Sequence, residues 1–152
     1  MGRTQSYASA LADALLKDNI ITYSVSQVPP HRGWVDFTMN QLEEDLGIDF
    51  VRVESDAEID VRYTDVLTGY ENVPEMLGFA STRPNYTTSI EVKNGEYFRS
   101  VMVHEVGHAL GLDHFHEDFN SAMSYNHDPS KIDYFSDQDI FALQSIFDTN
   151  LV

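Results

Sequence analysis

His104-Glu105-Val106-Gly107-His108-Ala109-Leu110-Gly111-Leu112-Asp113-His114 constrains this chain more than any other stretch, because three imidazoles and a carboxylate recur in it at fixed offsets. His104 and His108 are four residues apart, so on a helix they stand on one face and can direct a ring nitrogen at a common point. Glu105 falls between them, better placed beside a cation than on it. Gly111, without a Cβ, can end the helix in the left-handed conformation and swing the chain, so that His114 returns as a third ligand. Three protein ligands and one open position make a catalytic zinc site, whereas structural zinc sites are usually closed by four ligands, often thiolates. There is no cysteine here to close one. In such a site Glu105 takes a proton from a bound water and later passes it to a leaving amine. Average residue usage puts the chance occurrence of this pattern in a chain of this length on the order of 1 in 100,000, which sets aside an accidental spacing.

The pattern H-E-x-x-H-x-x-G-x-x-H formed by these residues resembles the signature of the metzincin clan of zinc endopeptidases, whose second mark is a methionine turn beneath the metal. Met123, in Ser121-Ala122-Met123-Ser124-Tyr125, fits that mark. Alone it would be read as a core methionine; its place after the signature makes it the apolar floor under the histidines. Tyr125 resembles the tyrosine of the serralysin and astacin branches, which can bind zinc or swing away to stabilise the reaction oxyanion; a core aromatic with a satisfied hydroxyl is the alternative. The Ile20–Val25 strand, the helix bearing Trp34, the Ile59–Tyr63 strand and the Phe135–Ile140 segment are similar to the matrixins instead. The resemblance spans roughly residues 19 to 150 and is highly specific only from 104 to 125. Phe115, after the third histidine, is not the serine, glutamate, aspartate or proline of the main branches. Without cysteine the cysteine switch of many matrixin pro-segments is impossible, so latency would need another ligand; Asp18 is a candidate, although a solvated turn residue is its plainer role.

The resemblance implies an α/β (α+β) metzincin-like domain: a twisted mixed sheet packed on an active-site helix and a second helix, with a C-terminal helix below the zinc cleft. It divides the chain into an N-terminal helical extension or vestigial pro-segment, 1–18, and a catalytic domain, 19–152. It also makes Gly78, Phe79 and Ala80, within Leu77–Ser81, part of an edge strand that pairs with an extended substrate through main-chain hydrogen bonds; an ordinary buried strand is the alternative. Asn126 and His127 would wall the pocket for the side chain after the scissile bond.

A chain of 152 residues with 42% hydrophobic and 12% aromatic content can bury a core without disulfides. With 25 acidic against 9 basic residues its formal charge is −16, which repels nucleic-acid phosphates and anionic membranes and attracts cationic peptides. No basic start followed by an apolar run, and no apolar stretch long enough for a bilayer, is present, so a soluble monomer is expected, with extracellular and virion-associated roles left open. Calcium, which takes several oxygen ligands, stays open and unassigned in the absence of a D-x-D-x-D-G loop.

Periodicity organises the rest. Ala8, Leu11, Ala12, Leu15 and Leu16 recur at helical spacing. Pro29–Gly33 reads as a loop, with His31 a loop residue. Val35, Met39, Leu42 and Leu46 form an apolar stripe fit for one face of a sheet. Phe50–Val53, Ile59–Tyr63 and Ser89–Val92 read as strands. Phe98, Met102, Val106 and Leu110 give the buried face of the active-site helix, leaving His104 and His108 on another. His116 and His127 read as surface or pocket-wall residues, since a fourth nitrogen would shut the site. Ser136 and Asp139 form a capping box before Ile140, Leu143 and Phe147.

The expected function is therefore zinc-dependent endopeptidase action on proteins or peptides, with His104, His108 and His114 as ligands and Glu105 as general base. Two rivals remain. One is a zinc-stabilised interaction module without catalysis, against which an intact Glu105 argues. The other is a zinc endoribonuclease with similar histidine spacing, against which Glu105, Met123 and the acidic charge argue.

Overall fold

Strands with one face buried alternate covered and open side chains, and that period decides which side of the sheet the helices occupy. The computed structural model describes residues 7–16, 20–26, 32–95, 97–114, 121–124 and 132–148. Its elements are α1 (Tyr7–Leu15), β1 (Ile20–Ser26), α2 (Arg32–Leu46), β2 (Asp49–Arg52), β3 (Ile59–Thr64), β4 (Gly78–Thr82), β5 (Thr88–Lys93), α3 (Phe98–Ala109) and α4 (Asp137–Asp148). The strands form one mixed sheet in the order β2-β1-β3-β5-β4. β1 runs parallel to β2 and β3, β3 runs parallel to β5, and β4 pairs antiparallel with β5. α2 supplies the crossover that a parallel β1–β2 pair requires.

In β3 and β5 the register sets Ile59, Val61 and Tyr63 beside Thr88, Ile90 and Val92, and all six are buried. Asp60, Arg62 and Glu91, between them in sequence, belong to the opposite face. The covered face carries α2 on β1 and β2 and carries α3 on β4 and β5. Val35, Met39, Leu42 and Leu46 of α2 are buried as their spacing predicts, each such side chain contributing about 1.5–3 kcal/mol. The Arg99 guanidinium of α3 lies 3.6 Å from the centre of the Trp34 ring of α2, a cation–π contact tying the two helices.

α4 packs on α2 and α1 rather than on the sheet. Tyr134, just before α4, donates from its hydroxyl to Asp45 Oδ2 at 2.7 Å, and Gln144 of α4 donates from its amide to the Asp45 carbonyl at 3.0 Å. Leu11, Ala12 and Leu15 of α1 are buried, so this helix packs on the body as its periodicity predicts. The expected strands at 50–53 and 89–92 appear at Asp49–Arg52 and Thr88–Lys93. Among the described residues no helix is long and apolar enough to cross a membrane.

Candidate metal centre

Two turns hold the three histidines in place. The first ends α3. Leu110 is the last residue near helical geometry and Gly111 follows at φ +106°, a conformation that costs a side-chain-bearing residue about 1–2 kcal/mol. The Gly111 N–H donates to the His108 carbonyl at 3.1 Å and the Leu112 N–H to the Gly107 carbonyl at 2.9 Å, the paired bonds of a Schellman ending. The reversal brings His114 back toward the helix, as the glycine predicts. His108 is fixed by the same turn, because its Nδ1 lies 2.8 Å from the Leu112 carbonyl oxygen.

The second turn is Ser121–Ser124, buried throughout. The Met123 N–H donates to Ser121 Oγ at 3.0 Å, and the Ala122 carbonyl oxygen lies 2.7 Å from Nδ1 of His104. Both helical histidines therefore donate Nδ1–H to a carbonyl, which leaves each Nε2 with an unshared pair.

Those Nε2 atoms converge. His108 Nε2 is 3.2 Å from His104 Nε2 and 3.2 Å from His114 Nε2. Zinc–nitrogen bonds of about 2.0–2.1 Å in tetrahedral geometry require ligand atoms about 3.3–3.4 Å apart. Bare lone pairs at this separation repel unless a cation lies between them, so the spacing suits a set of donors able to hold a metal ion. Among the described residues these histidines are the group able to hold a metal ion, with ligand atoms all within 4.8 Å of one another. No comparable carboxylate group occurs among those residues, and calcium gains no support.

Glu105 follows His104 in α3 and is only 8% exposed. Burial pushes its carboxyl up to about 7; a bound dication close by would draw it back down. Met123, 1% exposed, lies against Gly107, where an added Cβ would collide with the Met123 sulfur and stand 3.0 Å from the Phe135 ring. Gly107 is thus the gap in α3 that admits the methionine side chain. Sequence reasoning passed over it, although a glycine inside a helix costs about 0.5–1 kcal/mol relative to alanine and so signals a close approach.

Asp139 was legible only in part. As a capping partner it accepts from the Ser136 N–H at 3.0 Å while its own N–H donates to Ser136 Oγ at 3.1 Å. Its carboxylate also accepts from Ser121 Oγ at 2.6 Å and from the Ala122 N–H at 2.9 Å. The start of α4 is thereby tied through the Ser121–Ser124 turn to the ring of His104.

β4 is the edge strand of the sheet. Ala80 turns to the same side as Thr82 and lines a pocket with His108. Phe79 turns to the other face and packs on Tyr70, ring centres 5.1 Å apart, so only its main chain is offered along the edge. Gly78 stands where a Cβ would be 2.6 Å from Val101 Cγ1, which lets β4 approach α3. Tyr125, Asn126 and His127, with His31, Asp18, Phe115 and His116, lie outside the described residues.

A family model for matrixin peptidases matches residues 17–148. The chain belongs to the matrixin family. This matrixin is accordingly a zinc metallopeptidase, and protein or peptide is its substrate class. Among solved structures it is similar to myroilysin, at 16% identity and a TM-score of 0.60, covering 84% of this chain and 92% of that one. It is also similar to a zinc-dependent peptidase from Methanocorpusculum labreanum, at 15% identity and a TM-score of 0.50, covering 81% and 99%. At these identities the likeness concerns the fold. A comparison with curated protein sequences finds no match.

Gly111→Ala is expected to destabilise this matrixin by about 1–2 kcal/mol and to weaken zinc binding, because the turn that the new side chain would strain positions both His108 and His114. Competition with a chromogenic chelator measures the second effect. Wild-type zinc affinity in the variant would show that the turn does not set the ligand geometry.

Proposed function

We propose that this matrixin is an endopeptidase whose zinc is held by Nε2 of His104, His108 and His114, with Glu105 as the proton carrier. The observation that carries this reading is the convergence of the three Nε2 atoms at 3.2 Å spacings, two of them backed by carbonyl-bound Nδ1 atoms. Bound zinc would supply a Lewis acid that brings the pKa of a water toward 7 and polarises a peptide carbonyl.

The chain's own residues do the rest. Glu105, one residue past His104 and three before His108, lies on the flank of α3 next to the ligands. Its buried carboxylate accepts the proton of the attacking water and returns it to the departing amine. The Tyr125 hydroxyl would stabilise the developing oxyanion or serve as a further ligand to bound zinc. The edge of β4 aligns an extended substrate by main-chain hydrogen bonds at Gly78, Phe79 and Ala80, and Asn126 and His127, outside the described residues, are assigned to recognition of the side chain after the scissile bond. The matrixin match lends no support to the endoribonuclease alternative.

Peptides blocked at both termini test the endopeptidase assignment. Internal cleavage by zinc-loaded protein is expected; activity confined to peptides with a free terminus would refute it. Tyr125→Phe is expected to lower kcat by about tenfold or more with little change in KM, the signature of an interaction made only in the transition state. An unchanged kcat would make Tyr125 structural.

A further inference from the structure

α1 (Tyr7–Leu15) precedes the residues matched by the matrixin model, yet it is built into the wall of the cleft. Its Ala8 would lie 3.3 Å from a Cβ placed on Gly111, and Leu11 and Ala12 are fully buried. Where α1, β4 and the end of α3 meet there is an open pocket of about 440 Å³, lined by Tyr7, Ala8, Ala80, Thr82, His108 and Asp113 among others. Its described lining holds one carboxylate, Asp113, and no lysine or arginine. Tyr7 is 58% exposed at the rim, its ring 6.1 Å from that of Tyr86.

The position of the pocket fixes which part of a substrate reaches it. A strand added to the edge of β4 is favoured in the antiparallel sense, where pairing is the more stable. Its N-terminal part then lies near Thr82, beside the pocket, and its C-terminal part near Gly78. Ala8 and Ala80 offer a short apolar floor for an aliphatic stem, while Asp113 and the face of Tyr7 offer a carboxylate and a π-surface for a cation at its end.

Resting on the endopeptidase reading, we infer that this pocket selects a lysine or arginine side chain on the N-terminal side of the scissile bond, with α1 as a specificity wall. The formal charge of −16 would attract any basic peptide, so dependence on position separates the pocket from the general field.

The test walks a lysine, against norleucine, through the three positions before and after the scissile bond of a blocked quenched-fluorescent peptide. At one preceding position lysine is expected to raise kcat/KM by about tenfold, the sum of a modest ion pair and a cation–π contact. The same change after the bond should give a smaller gain. Asp113→Asn and Tyr7→Ala should each reduce the lysine-to-norleucine ratio by about threefold or more, while Tyr7→Phe retains it. Using the ratio within each variant cancels any general loss of activity. A ratio near one at every position, or a ratio indifferent to both substitutions, would overturn the inference.

Fluorescence anisotropy of the same sequences, labelled with a fluorophore and no quencher, on zinc-loaded Glu105→Gln reads the pocket without turnover. A lysine preference there, with no hydrolysis by the wild type, would sink the endopeptidase reading and keep the pocket; equal affinities would sink the pocket whatever the wild type hydrolyses.

Discussion

Glu105→Gln is expected to lower peptide hydrolysis by at least about a hundredfold while leaving one zinc per chain, because a positioned general base supplies about 10²–10⁴-fold of rate. The substitution keeps the shape of a buried side chain and removes its ability to hold a proton taken from water. Glu105 is 8% exposed and adjoins His104 in α3, so a carboxylate there stands beside the metal site within reach of a water held in it. Metal analysis and single-turnover rates on the same preparation separate the two effects. Near-wild-type turnover would remove Glu105 from the chemistry, whereas loss of zinc would make it part of the metal's holding structure.

Asp139→Ala is expected to cost about 2–4 kcal/mol and to weaken zinc binding by about 10- to 100-fold. The carboxylate accepts from Ser121 Oγ, the Ala122 N–H and the Ser136 N–H, and its loss leaves buried donors without their acceptor. The Ala122 carbonyl that holds the His104 ring then loses its support. For a domain of this size the stability loss corresponds to a fall in Tm of about 5–15 °C. Asp139→Asn, which keeps one acceptor oxygen, should lie between wild type and alanine. Full zinc affinity in a folded Asp139→Ala protein would show that the Ser121–Ser124 turn orients His104 without help from α4.

How much of this was legible in the sequence depended on the distance over which each signal acts. Local signals read well. The apolar stripe of α2, the alternation in β3 and β5, the glycine ending α3 and the Ser136–Asp139 capping box each depend on neighbours within one or two turns, and the structure places them where their spacing predicts.

Relations across the fold were not written locally. Nothing around Asp139 shows that its carboxylate reaches Ser121 and Ala122, seventeen or eighteen residues earlier. Gly107 received no reading of its own within the zinc motif, since the methionine it makes room for comes from another loop. The edge position of β4 came from family likeness, because strand order is a property of the whole sheet. Helical spacing predicted α1 and its packing, but a share in the cleft wall requires the meeting of three elements that the chain keeps far apart.

Hydrolysis of a broad quenched-fluorescent peptide library, by zinc-loaded protein beside a chelated sample and Glu105→Gln, tests the central claim most directly. Cleavage restricted to the zinc-loaded wild type, restored to the chelated sample when zinc is returned, is the expected result. A protein that holds one zinc and cleaves nothing, or one that cleaves equally after chelation, would contradict the assignment of His104, His108, His114 and Glu105 as the working parts of this matrixin.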